Sequence, residues 1–164
     1  LLEIEGPRGS AHLRPGHTGP ILAVAGGSGL APVQAILASL VDLGMRQLVR
    51  VYLGVREERD LYGLEALQAL ARRHGDMRVT PVLSMGQPDS GHRSGFVHEA
   101  VRADLPGLKG WSCYTAGPPA MIDALTETVL AAGLRRSDLH ADVFFTPEGR
   151  SGQDGKKLAG DVIP

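Results

Sequence analysis

The 164-residue sequence contains a single cysteine, Cys113. One thiol closes no internal disulfide, and it falls short of the four thiolates an iron–sulfur cluster usually takes. Stability must come from an apolar core, and any iron–sulfur centre working with this chain belongs to another segment or partner. Excess charge is missing too. The net charge is −1, which argues against a polyanion-binding surface and against electrostatic attachment to a membrane. No apolar run approaches the roughly 20 residues that span a bilayer, and no basic-then-apolar leader opens the chain. The six histidines (His12, His17, His74, His92, His98 and His140) are scattered without metal-ligand spacing, so no metal site is expected. These absences leave a soluble, cytoplasmic chain with no nucleic-acid or membrane partner.

The length is that of about one domain, and 43% apolar residues against 21% charged suffice for a core. The chain opens at Leu1, inside what reads as a strand, and is expected to be part of a longer protein. Short apolar runs alternate with helical patterns. Ile21 to Ala25 is continuous and apolar, as for a strand buried on both faces. Val33, Ile36, Leu37, Leu40 and Val41 then follow at helical spacing, with Gly44 beyond as a helix stop. The cycle repeats through strands at Leu48–Leu53, Arg78–Ser84, Trp111–Ala116 and Leu139–Thr146. The intervening helices are at Leu61–His74, Phe96–Arg102 and a segment marked by Met121, Ile122, Leu125 and Val129. Such alternation predicts an α/β fold, a parallel sheet with helices on both faces, binding ligands at the strand carboxyl ends. Leu2-Glu3-Ile4-Glu5 differs: it alternates, as a half-exposed antiparallel strand does, and Gly6-Pro7-Arg8-Gly9 breaks it. The expected division is residues 1–19, then a body at 20–147, then a glycine- and charge-rich tail at 148–164.

Three motifs fall in the loops after strands. Gly26-Gly27-Ser28-Gly29-Leu30-Ala31-Pro32 joins the first strand to its helix. Glycines there let the backbone approach an anion, the helix start offers free N–H groups, and Pro32 suits a first turn. The combination suits a pyrophosphate, although a glycine turn alone fits any α/β protein. Pro32 replaces the third glycine of G-x-G-x-x-G, and Leu30 the last glycine of G-x-S-x-G. Neither the ordinary dinucleotide fingerprint nor a nucleophile elbow is present. Ala116-Gly117-Pro118-Pro119-Ala120-Met121 makes a second glycine turn into a helix. Gly54-Val55-Arg56 follows the second strand, with Asp60 expected as a helix N-cap rather than a ligand contact.

In order and spacing these three motifs resemble the ferredoxin–NADP reductase superfamily, most closely the reductase components of bacterial aromatic-ring oxygenases. Gly6-Pro7-Arg8-Gly9-Ser10 is similar to the end of that family's flavin-binding domain. The resemblance implies a five-stranded parallel sheet of order 3-2-1-4-5, preceded by the last strand of a flavin-binding β-barrel. It implies that Gly27, Ser28, Gly29 and Pro32 lie against the pyrophosphate and nicotinamide side of the cofactor. Gly54 and Arg56 would face phosphates or ribose, and Ser84 and Met85 the adenosine ribose. Gly117, Pro118, Pro119 and Met121 would close over the nicotinamide. Hydride would pass from NADH to FAD on the flavin domain, and electrons on to an iron–sulfur ferredoxin or oxygenase component. No side chain takes an acid–base role.

Three departures matter. Ala116 stands where many relatives carry cysteine. Ser84-Met85-Gly86-Gln87 offers no cation for a 2′-phosphate, which favours NADH over NADPH, with Arg93 the nearby base able to fold back. The family's flavin-holding segment is absent from this stretch. A non-catalytic dinucleotide-sensing or partner-docking module is the rival reading, and a flavodoxin-like phosphate-binding protein is a poorer third. Of Phe144 and Phe145, core packing is expected for at least one.

Overall fold

The computed structural model describes residues 12–86 and 91–144. The expected strand at Leu2–Glu5, the turn Gly6 to Ser10, Gln87, Phe145 and the tail from 148 lie outside the described residues.

The elements follow in chain order as β1 (Ile21–Gly26), α1 (Leu30–Asp42), β2 (Val49–Val55) and α2 (Leu64–His74). Next come β3 (Met77–Leu83), β4 (Arg93–Ser94), α3 (Val97–Asp104), β5 (Ser112–Gly117), α4 (Pro119–Ala131) and β6 (Leu139–Val143). The five strands read from the sequence are all present, all parallel, and in the predicted lateral order. The sheet has six strands rather than five, in the order β4-β3-β2-β1-β5-β6. The addition is the two-residue β4, which pairs with Val82 and Leu83 at the outer edge. It is too short to carry a periodic pattern, so hydrophobicity gave no sign of it.

Alternation along the strands sorts the core into two layers. Ile21, Ala23 and Ala25 of β1 join Val49, Val51 and Leu53 of β2 under Val33, Ile36, Leu37 and Leu40 of α1 and Leu67 and Leu70 of α2. Leu22 and Val24 face the other way, with Tyr52, Val82 and Cys113, under Val97 and Val101 of α3 and Leu125 and Val129 of α4. Every β1 side chain is buried, so this strand fixes where both helix layers sit. Full burial of each Leu, Ile or Val contributes about 1.5–3 kcal/mol.

The stretch just ahead of β1 is fastened to this body. Leu13 is buried in the α1-side core, the Arg14 N–H donates to the Tyr114 hydroxyl (3.0 Å), and the Gln47 amide donates to the His17 carbonyl (2.7 Å). On the far edge, β4 covers the last two residues of β3, and Met77–Pro81 has no partner strand on that side among the described residues.

Burial also sets the titration of three groups. Cys113 is fully buried, and its thiol is pushed up to about 12. It should resist a thiol reagent until the chain unfolds, so labelling at pH 8 is expected to track the unfolding rate; rapid labelling of native protein would contradict its position. His74 and His140 are both held below the usual histidine pKa, mainly by burial. At His74 a backbone hydrogen bond to Met45 and the Asp76 charge oppose this while Arg46 reinforces it, and at His140 Arg14, His12 and His17 reinforce it while Asp138 opposes it. The unfolded chain then binds more protons than the folded one below about pH 6.5, so this stabilisation is complete above that pH and is lost as pH falls. Urea midpoints should drop between pH 7.5 and 5.5, and less steeply in a His74→Leu variant.

Candidate functional site

Strand order reverses at β1, which has β2 on one side and β5 on the other. In open parallel sheets a ligand crevice lies at such a point, outside the carboxyl ends. Register sets Gly26 level with Gly54, and Ala25 level with Ala116. The turns after β1 and β5 and the end of β2 therefore share one rim, as the motifs required.

The turn after β1 is one turn of 3-10 helix, Gly27–Gly29, running directly into α1. Gly27 has φ +52° and a Cβ there would meet open space, so its demand is for a left-handed backbone. Gly29 is buried, and a Cβ on it would overlap the Ala116 carbonyl and the Gly117 nitrogen. Gly26 and Gly117 lie beneath the Met121 thioether, and Gly54 lies beneath Val97 of α3. Of these five glycines, Gly29 is the one pressed against fixed backbone; Gly26 and Gly117 meet the flexible end of Met121, and Gly54 meets the Val97 Cβ at 3.1 Å. Only Gly27 faces open space, and the anion-approach argument made for the whole motif narrows to it and to exposed Ser28. Half-buried Met121 is laid across the junction of the two turns, where it acts as packing.

Helix starts complete the rim. Pro32 is the third residue of α1, and Pro119 the first of α4, positions where a missing N–H is tolerated. Neither helix has a side-chain cap or an acidic residue in its first turn. By contrast α2 carries Glu65 and α3 carries Glu99 in the first turn. The positive ends of α1 and α4 are therefore left uncompensated, beside strands that are direct neighbours.

The β2–β3 side supplies a different surface. Backbone bonds from Ser84 N–H to the Val55 carbonyl (2.9 Å) and from Met85 N–H to the Arg56 carbonyl (2.8 Å) extend the pairing past both strands. Arg56, Ser84 and Met85 are exposed together there, and Arg56 has no ion pair among the described residues. Arg93 is engaged elsewhere. Its guanidinium pairs with Asp104 at 2.6 Å, and Asp104 also accepts the Tyr52 hydroxyl at 2.9 Å. Arg93 holds the Asp104 carboxyl below its usual range, while burial and Asp104 push the Tyr52 phenol up. Asp104 ends α3, seven residues or about 10 Å along the helix from its first residue at the rim.

Asp60 does cap, but not the element expected. Its carboxylate accepts the Glu57 N–H (3.1 Å) and closes a 3-10 turn at Glu58–Asp60; the cap position of α2 is Gly63. Two aromatic residues at the rim were not singled out from the sequence. Tyr62 is 55% exposed and Phe96, at the start of α3, 59% exposed. Phe96 had a signal, since an apolar residue at a helix start does not belong to the buried face. Tyr62 had none, because its partner is 35 residues away. No group of metal-ligating side chains occurs among the described residues. A groove of about 430 Å³ lined by Arg50, Arg72, Arg78 and Met77 lies at the opposite, amino end of β2 and β3, and contains none of the site residues.

Comparison with known proteins places this arrangement. Residues 23–127 match the oxidoreductase NAD-binding domain family. The chain is 44% identical to the ferredoxin–NAD(P)(+) reductase component of naphthalene 1,2-dioxygenase/salicylate 5-hydroxylase systems of Ralstonia sp, over 90% of this chain and 45% of that protein. It is 38% identical to the corresponding naphthalene 1,2-dioxygenase component of Pseudomonas putida, over 88% and 44%. Among solved structures, Amycolatopsis cytochrome P450 reductase GcoB superposes with a TM-score of 0.79 at 35% identity, over 85% of this chain and 42% of that one. The ferredoxin reductase of carbazole 1,9a-dioxygenase gives 0.74 at 29% identity, over 85% and 42%. The chain spans about half the length of the curated relatives it matches.

The glycine geometry separates folding from ligand contact. Gly29→Ala forces a methyl onto β5 backbone and should cost about 3 kcal/mol, lowering Tm by about 6–12 °C. Gly27→Ala should cost about 1 kcal/mol, from φ alone. Equal melting of the two variants would show that the contact between Gly29 and the Ala116–Gly117 peptide is not as described.

Proposed function

The chain belongs to the oxidoreductase NAD-binding domain family, and from that premise we propose that it is the NADH-binding domain of a flavin-dependent reductase serving an iron–sulfur ferredoxin or oxygenase component. The observation that carries this is the pair of helix starts, α1 and α4, both free of acid and cap and brought together by the contact of Gly29 with the Ala116–Gly117 peptide. Two such ends beside each other favour an extended diphosphate over a single small anion.

The residues present fit the dinucleotide. Ser28 and the left-handed Gly27 peptide would meet the pyrophosphate, flanked by Gly29 and Pro32. Arg56, just past Gly54, would pair with a phosphate or ribose hydroxyl, being exposed and without an ion pair among the described residues. Ser84 and Met85 would border the adenosine ribose, with Phe96 offering a ring to the base. Gly117, Pro118, Pro119 and Met121 would form the wall beside the nicotinamide. The chemistry is the cofactors' own, a hydride moving from nicotinamide to FAD and single electrons onward; the chain's part is to bind and orient. No side chain here moves a proton.

Preference for NADH over NADPH is supported from two sides. Ser84, Met85 and Gly86 bring no cation past β3, and Arg93, the base able to reach back, is held by Asp104 at the far end of α3. FAD would be carried by a flavin-binding domain of the same polypeptide, which fits a chain about half the length of its relatives. Residues 1–19 would be the end of that domain and its connection, residues 20–147 the NADH-binding domain and residues 148–164 a tail or linker. A cytoplasmic location fits this role.

Calorimetry of the purified chain with NADH and NADPH tests the proposal. NADH should bind more tightly, and Arg56→Ala should weaken it about tenfold, the worth of one charge-assisted hydrogen bond. Met85→Arg should narrow the gap between the two cofactors by supplying the missing cation. Joined to a flavin domain, the chain should oxidise NADH; binding without oxidation would leave a dinucleotide sensor instead, and no binding would overturn both.

A further inference from the structure

Tyr62 is a large aromatic residue left more than half exposed in the β2–α2 loop, yet its position is tightly determined. On one side the loop is braced by the Asp60 carboxylate on the Glu57 N–H and by Leu61 N–H on the Glu58 carbonyl. On the other, Gly63, at φ +72°, sits directly against Leu30, the first residue of α1; a Cβ there would press on the Leu30 side chain. Between these fixed points the Tyr62 hydroxyl donates to the carbonyl oxygen of Gly27. That oxygen also accepts the Leu30 N–H, so both its lone pairs are engaged.

The bond has an effect beyond its own strength. The Gly27 carbonyl and the Ser28 N–H belong to one trans peptide and point in opposite directions. Holding the carbonyl toward Tyr62 therefore fixes the Ser28 N–H on the other side. Ser28 stands in the first turn of a helix, where the early N–H groups have no intrahelical partner. Gly27, lacking a Cβ and already left-handed, is also the residue in the turn whose peptide would most readily rotate. Rotation would turn an oxygen toward a bound anion in place of an N–H.

We propose that Tyr62 is a positioning residue for the turn at Gly26–Gly29: its hydroxyl anchors the Gly27 carbonyl and so fixes the Ser28 N–H for the pyrophosphate of the dinucleotide. The inference rests on the dinucleotide reading above. It assigns to the β2–α2 loop, which contributes no part of the glycine motif, control over that motif's affinity for anions. The ring's exposure means that the bond adds little to the fold, so its removal separates positioning from stability.

The test uses the ¹⁵N-labelled 164-residue chain and its Tyr62→Phe variant, titrated with ADP-ribose and, separately, with adenosine, which has no phosphate. The variant is expected to bind ADP-ribose about fivefold more weakly, the effect of one lost hydrogen bond, with adenosine binding and the melting temperature unchanged. Amide exchange of Ser28 and Gly29 should be faster in the variant before any ligand is added. Equal ADP-ribose affinity in the two proteins, or an equal loss for adenosine, overturns the role of Tyr62 while leaving the family reading intact. Failure of the unaltered chain to bind ADP-ribose overturns the nucleotide reading itself, and this one with it.

Discussion

The contact between Gly29 and the Ala116–Gly117 peptide is the constraint on which the rest of the site depends. Two segments separated by nearly ninety residues approach so closely that a Cβ on Gly29 would overlap the Ala116 backbone. Because α1 begins one residue after Gly29 and α4 two residues after Gly117, that approach also fixes where both helices start. The Met121 side chain seals the junction from above, so the helix ends cannot separate without opening an apolar contact. A single backbone packing demand therefore sets the distance between two positive dipole ends.

The sheet was legible because buried parallel strands have a simple signature. Ile21-Leu22-Ala23-Val24-Ala25 must be apolar on both faces, and it is. The elements escaping notice lack any such signature. β4 exists because Gly95 N–H donates to the Leu83 carbonyl and two residues fall alongside Val82 and Leu83, a local accident of the loop's return. Asp60 shows a subtler limit. The sequence indicated a carboxylate that caps, but the element it caps depends on the left-handed Gly63 that follows.

The glycines and Arg93 show the same limit at the site. Sequence reveals where a side chain is forbidden but not what fills the space, and for Gly26, Gly29, Gly54 and Gly117 it is filled by the protein itself. Arg93 could be counted as a cation near the rim, but its ion pair with Asp104 and that residue's bond to Tyr52 connect β4, α3 and β2. Such a three-element contact has no periodicity to betray it. The result is a rim where Arg56 stands exposed just past β2, while the arginines at 50, 72 and 78 gather at the sheet's other end.

The uncovered stretch of β3 has a consequence of another kind. An open strand edge is normally a template on which a second chain can add, and such additions grow into aggregates. Here the length without a partner strand among the described residues, Met77–Pro81, is interrupted by a proline that has no N–H to offer and by the charged Arg78. Both are recognised means of blunting an edge. The short β4 then covers the two apolar residues, Val82 and Leu83, that would otherwise prolong it. Colloidal behaviour is thus written into this side of the sheet, with Pro81 withholding a backbone donor from its edge.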